Sequence, residues 1–272
     1  MKNRQQRLPR SYLFVPGDRP DRFDKALATG ADMVILDLED AVAPAQKPQA
    51  SEAVAGWLTP EHSICLRING PDTDWFEDDL KLASATGVVA IMVPKIETTE
   101  QIKRVVSGVQ GKIPVLPFIE TAAGYWNIQE IAGTSGVQRL VFGTLDFLMD
   151  MGMSAQGDEL NSVRLQMVLV SRLADLAAPV EGVTQDIENT NILRADSLRA
   201  RSLGFGGKLC IHPAQVNLVN DCFSHTEAEI AWARKVVAAA VQSNGAVVVI
   251  EGKMIDKPVI ERARLILGQT RE

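Results

Sequence analysis

The sequence predicts an α/β protein, a (β/α)8 TIM barrel followed by a C-terminal helical lid segment. Short apolar runs typical of buried strands alternate with segments whose apolar residues recur three and four positions apart, as in helices. Eight such pairs follow one another, the number that closes a parallel barrel. Four of the runs also end in charged residues, and the carboxyl ends of barrel strands form the face that carries an active site. The strand-like runs are residues 11–17, 32–38, 64–68, 88–94, 113–119, 138–143, 179–183 and 207–213.

Helix signals fill the connections between these runs. Residues 21–30 end on Gly30, a good C-terminal stop. Residues 98–111 open with Thr98 and Thr99, both candidate N-caps. Residues 162–177 are strongly apolar on one face, and residues 192–207 end in glycines. These segments predict the helices that surround the barrel.

The chain continues beyond the eighth strand. We predict a catalytic barrel domain over residues 1–225 and a helical extension, or lid, over residues 226–272. Within the extension, residues 226–245 form an amphipathic helix, residues 246–255 are extended, and residues 256–268 form a second helix with Asp256 as its N-cap. A closed barrel does not need this extension for its core, so we expect it to cover the barrel mouth or a neighbouring subunit.

Composition limits the class of partner. The chain has 272 residues and a formal net charge of −6, which argues against nucleic acid as a partner. Its longest apolar stretches are too short to span a bilayer, so we expect no membrane contact. The three cysteines have no metal-ligand spacing, and the basic start MKNRQQRLPR has no apolar signal segment. Together these features predict a cytoplasmic protein.

Glu120 and Asp146 are the strongest candidates for metal ligands. We place both at the ends of successive strands, so their carboxylates should lie close together. Two hard oxygen ligands, with room for water and substrate, suit Mg²⁺. The alternative is that each carboxylate caps a helix or joins an ion pair.

Arg67 lies in the apolar segment LRING and needs a carboxylate partner if it is buried. It is either a structural partner of Glu39 or Asp40 or a cation that faces a substrate carboxylate or developing enolate. Asp37, Glu39 and Asp40 are three acids in four residues, and we expect them to hold metal-bound water molecules.

The segment FVPGDRPDRFDKA, residues 14–26, leads from the first strand into the first helix. Its cations Arg19, Arg22 and Lys25 surround a Gly–Pro-rich turn, where clustered positive charge attracts phosphate. We place these cations in a predicted cofactor-binding set with Phe14 and Pro16 from the same segment. The alternative is a solvated helix face.

Two further side chains have open roles. Lys95 ends the fourth strand and is either a Schiff-base lysine or, preferably, a cation that neutralises the acid cluster. His212, near the end of the eighth strand, is equally a hydrogen-bonded core residue or a base. No second histidine lies at ligand spacing, so a zinc site is not expected.

These segments resemble the citrate lyase β-subunit-like enzymes, which with the malyl-CoA lyases belong to the HpcH/HpaI aldolase family. The resemblance covers nearly the whole chain. The segments that carry it are SYLFVPGDRPDRFDKA, VILDLEDAV with the following Lys47, LRING, VPKIE, FIETAAG, FGTLDF, GFGGKLCIHPAQV and GKMIDKPVI.

The resemblance implies a homo-oligomeric barrel, a trimer or a multiple of it, that uses Mg²⁺ and acyl-CoA substrates bearing a β-hydroxyl. It implies that Glu120 and Asp146 bind the metal and that Arg67 contacts substrate. Arg19 and its basic neighbours are similar to part of the CoA-binding surface. Asp256 matches the acidic residue that the lid carries into the active site of a neighbouring subunit.

One position departs from the family pattern. Many relatives have FG-A-E-D where this chain has FGTLDF, so Leu145 replaces an acid beside the predicted metal ligand. Asp146 is retained, and we therefore expect metal binding to persist with less negative charge around it.

The residues and the resemblance together predict Mg²⁺-dependent cleavage of a 3-hydroxyacyl-CoA to acetyl-CoA and a 2-oxo acid. Citramalyl-CoA and malyl-CoA are the favoured substrates, with Asp256 as candidate acid/base and Arg67 stabilising the thioester enolate. One alternative is a citrate lyase β subunit that acts on a citryl thioester of an acyl carrier protein. The other is a non-catalytic acyl-CoA-binding protein that kept the fold, which only Leu145 favours.

Overall fold

A computed structural model describes residues 8–154, 157–242, 247–250 and 252–269. The chain divides into two compact units, Pro9–Phe223 and a unit carried by the residues from Ser224 onward. The predicted catalytic domain 1–225 and lid 226–272 stay predictions, because compactness assigns no role to either unit.

The unit Pro9–Phe223 is a closed barrel of eight parallel strands in sequence order, with the last strand paired to the first. This confirms the predicted (β/α)8 TIM barrel. The strands are β1 (Ser11–Pro16), β2 (Met33–Asp37), β3 (Ile64–Arg67), β4 (Val88–Val93), β5 (Val115–Ile119), β6 (Arg139–Phe142), β7 (Ala177–Glu181) and β8 (Gly207–Cys210).

Helices fill the connections between the strands, with short 3₁₀ turns at Pro20–Arg22, Pro44–Gln46 and Asp158–Leu160. Two connections, after β5 and after β6, contain two α-helices where one was predicted. The helices are α1 (Phe23–Leu27), α2 (Lys47–Trp57), α3 (Phe76–Ala83), α4 (Thr99–Gly108), α5 (Ala122–Trp126), α6 (Ile128–Ala132), α7 (Thr144–Asp150), α8 (Asn161–Leu173), α9 (Thr190–Leu203) and α10 (Pro213–Cys222).

The helix ends follow local chemistry. Thr98, not Thr99, is the N-cap of α4, and it forms a capping box with Gln101. Gly204 ends α9 with a φ of 106°, a left-handed conformation that glycine adopts without steric cost. The predicted helix 162–177 is too long, because Asp175 has a φ of 55° and interrupts it before β7 begins at Ala177.

The barrel core has two parts. Alternate strand residues such as Tyr12, Ile35, Met92 and Phe118 form one buried cluster, which fills the inside of the barrel. The remaining strand residues, such as Leu13, pack against the helices in a larger cluster. At the carboxyl ends of β1, β2 and β3, Pro16 lies opposite Asp37, and Asp37 lies opposite Arg67. This register places the charged ends of β2 and β3 side by side at the carboxyl end of the barrel.

The second unit contains α11 (Glu227–Gln242), β9 (Val248–Ile250), β10 (Lys253–Ile255) and α12 (Lys257–Gln269). Its two helices pack through small and branched apolar residues, such as Ala233, Val236, Ile260 and Ala263. The predicted extended segment is an antiparallel pair of short strands over its described part. The predicted helix end at Gly245 lies outside the described residues. Within the described ranges, no helix has both the length and the apolar character that a bilayer crossing requires.

Candidate active site

A cavity of about 810 Å³ lies within the barrel unit, at the carboxyl ends of its strands. Most of the predicted site residues line this cavity, which is large enough for a small-molecule ligand. The predicted residues among its lining are Phe14, Pro16, Arg19, Arg22, Lys25, Asp37, Asp40, Arg67, Glu120 and Asp146. Leu145 and His212 also line it. Glu39 is buried beside this lining and contacts Arg67.

Arg67 ends β3 and is held by two carboxylates from the end of β2. Its Nε and Nη2 atoms donate to the two oxygens of Asp37 at 2.7 and 2.6 Å. Its Nη1 atom lies 3.1 Å from Oε2 of Glu39. The guanidinium also stacks on the ring of Phe14, at 4.6 Å from the ring centroid. Burial opposes this charge, but the carboxylates of Asp37, Glu39 and Asp40 together outweigh burial and raise the pKa of Arg67.

These contacts change the interpretation of the acidic segment. Both carboxylate oxygens of Asp37 accept hydrogen bonds from Arg67, so Asp37 orients the arginine. Its predicted contact with metal-bound water stays a prediction. The expected structural partners of Arg67 were Glu39 or Asp40. Glu39 does contact it, while the exposed Asp40 instead lies 3.8 Å from Nζ of Lys95.

Glu120 directly follows β5, and its side chain is buried. Its Oε1 atom accepts a hydrogen bond from the backbone N–H of Lys95 at 2.7 Å. Burial, followed by the negative charges of Asp146 and Glu39, raises the pKa of Glu120 to about 8. A nearby cation would stabilise the charged form of a carboxylate with such a raised pKa.

The sequence predicted that Asp146 ends a strand, and this prediction is wrong. Strand β6 stops at Phe142, and Asp146 lies in the first turn of α7. Gly143 joins the two elements, and Glu120 and Asp146 both line the same cavity. Asp146 thus reaches the cavity from a helix and not from a strand end, and its pairing with Glu120 around a metal stays a prediction.

The donor set at this pair fits Mg²⁺. Both groups offer hard oxygens, and burial together with the negative charges of Asp146 and Glu39 raises the pKa of Glu120, so its carboxylate is stabilised by a cation. Among the described residues there is no group of three or more His, Cys, Asp and Glu side chains that could hold a metal. A magnesium ion here would thus have two protein carboxylates, with other positions left for water and substrate, as this ion prefers.

Lys95 pairs with the acid cluster. Its Nζ atom donates to Oε1 of Glu39 at 2.9 Å. Burial opposes its charge, but the hydrogen bond and charge of Glu39 outweigh burial and raise the pKa of Lys95. A lysine that forms a Schiff base needs a lowered pKa, so the ion pair with Glu39 and the raised pKa both favour the neutralising role.

Three residues that support the site were missed as functional positions. Nζ of Lys47 donates to the backbone oxygens of Leu38 and Glu39 and, at 2.6 Å, to Oδ1 of Asn69. Asn69 in turn donates its backbone and side-chain N–H groups to Asp79. All three are buried, and they fix the loop that carries Glu39. Two of the three had a sequence signal, because Lys47 and the Asn69 of LRING form part of the family resemblance, whereas Asp79 had none.

The basic segment after β1 forms a 3₁₀ turn and the short helix α1. Arg19 is exposed and pairs with Asp21 at 3.1 Å, which reduces the positive charge that it offers to a ligand. Arg22 and Lys25 line the same cavity. Phosphate binding by this segment stays a prediction.

His212 and Asp256 both cap helices. Nδ1 of His212 accepts from the backbone N–H of Ala214 at 3.2 Å. The residue is exposed, so the predicted core role is wrong, and it lies beyond the end of β8 at Cys210. Asp256 lies in the second unit, where Oδ1 accepts from the N–H of Val259 at 3.3 Å. Its predicted N-cap role is confirmed, and its catalytic role stays a prediction.

The sequence matches the model of the HpcH/HpaI aldolase/citrate lyase family over residues 10–213. The chain belongs to this family. The match spans all eight barrel strands and the lining of the cavity.

Curated members of the family resemble the chain along nearly its full length. A citrate lyase subunit beta-like protein of Deinococcus radiodurans is 35% identical and covers 96% of this chain and 97% of its own length. A (3S)-malyl-CoA thioesterase of Cereibacter sphaeroides is 32% identical, with 96% and 94% covered. An L-malyl-CoA/beta-methylmalyl-CoA lyase of Rhodobacter capsulatus is also 32% identical, with 97% and 95% covered.

A solved structure extends this similarity to three dimensions. Protein CitE of Mycobacterium tuberculosis, in complex with magnesium, acetoacetate and coenzyme A, is 33% identical and superposes with a TM-score of 0.84. The match covers 96% of this chain and 97% of that one.

Proposed function

We propose that this protein is a Mg²⁺-dependent carbon–carbon lyase that cleaves a 3-hydroxyacyl-CoA to acetyl-CoA and a 2-oxo acid. The observation that carries the proposal is that Glu120, Asp146 and Arg67 line one cavity together with Arg22 and Lys25. Family membership supports it, because named relatives act on malyl-CoA and a similar structure holds magnesium and coenzyme A.

Each residue would have a defined role in the cleavage. Glu120 and Asp146 hold the Mg²⁺ ion, which supplies Lewis-acid polarisation of the hydroxyl and carboxylate oxygens of the substrate. A base takes the hydroxyl proton, the carbon–carbon bond breaks, and its electron pair moves onto the thioester as an enolate. Protonation of the enolate carbon then gives acetyl-CoA.

Arg67 is suited to stabilise the enolate. Its bond to Asp37 fixes the guanidinium, so that its remaining N–H groups can meet the thioester oxygen as negative charge develops there. We assign the acid/base role to Asp256, following the family resemblance, with the lid and the homo-oligomer as parts of the same proposal. The three free cysteines also fit the cytoplasmic location that we propose.

Charge on the linked groups in and beside the cavity, around Arg67 and Glu120, favours substrates with few carboxylates. The charged groups are the five acids Asp37, Glu39, Asp40, Glu120 and Asp146 and the two cations Arg67 and Lys95. This set has a formal charge of −3, which one Mg²⁺ ion reduces to −1. A citryl thioester brings one more carboxylate than malyl-CoA or citramalyl-CoA, so we favour the latter two.

The test is incubation of the protein with citramalyl-CoA, malyl-CoA and citryl-CoA, with Mg²⁺ and with EDTA. We expect acetyl-CoA and the 2-oxo acid to appear in equal amounts, only with Mg²⁺, and least from citryl-CoA. Release of free CoA without a 2-oxo acid would instead favour thioester hydrolysis, the activity in the name of the Cereibacter sphaeroides relative. Binding of acyl-CoA without any product would favour the non-catalytic alternative.

A further inference from the structure

Lys95 has an unusual backbone conformation beside the proposed metal site. Its φ of 54° lies in the left-handed region, which non-glycine residues adopt at an energetic cost. Among the described residues, Gln110 and Asp175 are the other non-glycine residues with a positive φ. A strained backbone at such a position must be held by the contacts that it makes.

The strained conformation aims the backbone N–H of Lys95 at Glu120. That N–H donates to Oε1 at 2.7 Å. The other oxygen, Oε2, lies over Gly143, where a Cβ atom would come within 2.5 Å of it. Within the described part of the chain, Oε2 accepts no hydrogen bond, so one oxygen of Glu120 is held and the other is left for a cation.

The side chain of Lys95 holds a second acid. Nζ donates to Oε1 of Glu39, whose Oε2 faces Nη1 of Arg67 at 3.1 Å. Lys95 thereby ties the loop after β4 to the ends of β2 and β5. It is not one of the residues that line the cavity described above, so it acts on the site through Glu120 and Glu39.

We propose that Lys95 is a positioning residue for the metal site. Its backbone N–H occupies Oε1 of Glu120 and so makes Oε2 the oxygen that binds the metal. Its ammonium group separately restrains Glu39. This inference rests on the proposed Mg²⁺ site and goes beyond it by dividing the two functions of one residue between its main chain and its side chain.

The two functions predict opposite effects on metal affinity. Loss of the ammonium removes a positive charge near the metal, so affinity should stay equal or rise. Loss of the left-handed backbone turns the N–H away from Glu120, so affinity should fall, as it does when outer contacts of metal ligands are removed. A substitution can therefore separate them.

The experiment measures Mn²⁺ affinity by electron paramagnetic resonance in the full-length protein, without substrate. Lys95→Met removes the charge and keeps an unbranched side chain. Lys95→Gly removes the charge and adopts a positive φ freely. Lys95→Val removes the charge and disfavours this conformation, because β-branched residues rarely adopt it. Gln110→Val is the matched control, with an exposed residue and the same φ of 54°.

We expect Lys95→Met and Lys95→Gly to bind Mn²⁺ at least as tightly as the wild type. We expect Lys95→Val to bind roughly tenfold or more weakly than Lys95→Met. Gln110→Val should lose thermal stability without a change in affinity. If Lys95→Val does not fold, Lys95→Thr, which is also β-branched, takes its place.

Equal affinities of the Met and Val variants would overturn the inference about the backbone. A tenfold loss already present in Lys95→Met would overturn the separation of charge from backbone. Failure of the proposed metal site is a distinct result, in which the wild type and Glu120→Gln bind Mn²⁺ equally poorly.

Discussion

Gly143 lies directly against the carboxylate of Glu120. A Cβ atom built on Gly143 would come within 2.5 Å of both Cβ and Oε2 of Glu120. Its φ of −86° is available to any residue, so space alone requires glycine here. The turn between β6 and α7 thus makes room for the acid that follows β5.

Gly143→Ala is expected to damage the metal site. The added methyl group must displace Glu120, which should lower Mg²⁺ affinity about tenfold or more and destabilise the fold by about 1–3 kcal/mol. Isothermal titration and thermal melting measure the two effects. Gly56→Ala is the control, because its added methyl meets no other part of the chain within 4 Å and this exposed position within a helix should gain stability. Unchanged Mg²⁺ affinity in Gly143→Ala would contradict the assigned ligand.

The place of this site in the barrel is predictable from the sequence, because the strands are apolar and their ends carry charged residues. Glu120 ends a continuous apolar run, so its place at the barrel face follows from the strand alone. Asp146 was assigned to a strand because FGTLDF is largely apolar, but Gly143 ends the strand and the next residues start a helix. The presence of both acids in one cavity was thus predictable, while the element that carries Asp146 was not.

Other contacts depend on chain folding that no local pattern encodes. Arg67 was expected to pair with a nearby acid, yet only the register of β2 and β3 selects Asp37. A lysine has no preference for the left-handed conformation, so the role of the Lys95 backbone was not predictable. Lys47 and Asp79 lie in different helices and are linked through hydrogen bonds to Asn69. Because the two residues are far apart in sequence, no local pattern predicts this link.

Magnesium affinity is expected to rise with pH through Glu120. Its pKa in the folded protein is about 8, against 4.5 for the free group, so a proton competes with the metal below pH 8. Affinity should increase by up to about tenfold per pH unit between pH 5 and pH 8 and then level off. Calorimetric titrations at pH 6, 7, 8 and 9 measure this, and Glu120→Gln should bind weakly at every pH.

The same shift fixes the sign of a stability effect. A raised carboxyl pKa means that the folded protein binds this proton more tightly than the unfolded chain. Without metal, the contribution of Glu120 to stability should therefore decline as pH rises from about 4.5 to about 8. Saturating Mg²⁺ should raise the melting temperature more at pH 8 than at pH 6. An equal shift at both values would mean that Glu120 is not the titrating ligand.

The basic segment after β1 is expected to bind the phosphates of coenzyme A. Reversing Arg22 and Lys25 to glutamate should weaken CoA binding by about tenfold, and more at low salt, where screening is small. Arg19 is left in place because it already pairs with Asp21. Reversal of the exposed Lys81 and Lys103, which do not line the cavity, gives the same change in net charge as a control. Equal CoA affinities in the two double variants would indicate a solvated helix face.

Asp256 is expected to be catalytic in addition to capping α12. Asparagine caps a helix about as well as aspartate but cannot take a proton, so Asp256→Asn should melt normally and bind CoA. Its turnover should fall roughly 10²–10⁴-fold, the usual effect of losing a general acid or base. Asp256→Ala, which also loses the cap, should cost about 1 kcal/mol of stability in addition. Normal turnover by Asp256→Asn would leave the residue as a cap alone.

Mixing two inactive variants tests whether the lid acts on a neighbouring subunit. Asp256→Asn supplies an intact barrel, and Arg67→Ala supplies an intact lid. If the lid serves another copy, hybrid oligomers contain some sites with both Arg67 and Asp256, and activity should return after subunit exchange. If exchange is verified by mass and no activity returns, the lid acts within its own chain. Recovery would also require the homo-oligomer that we propose, because a monomer cannot combine the two residues.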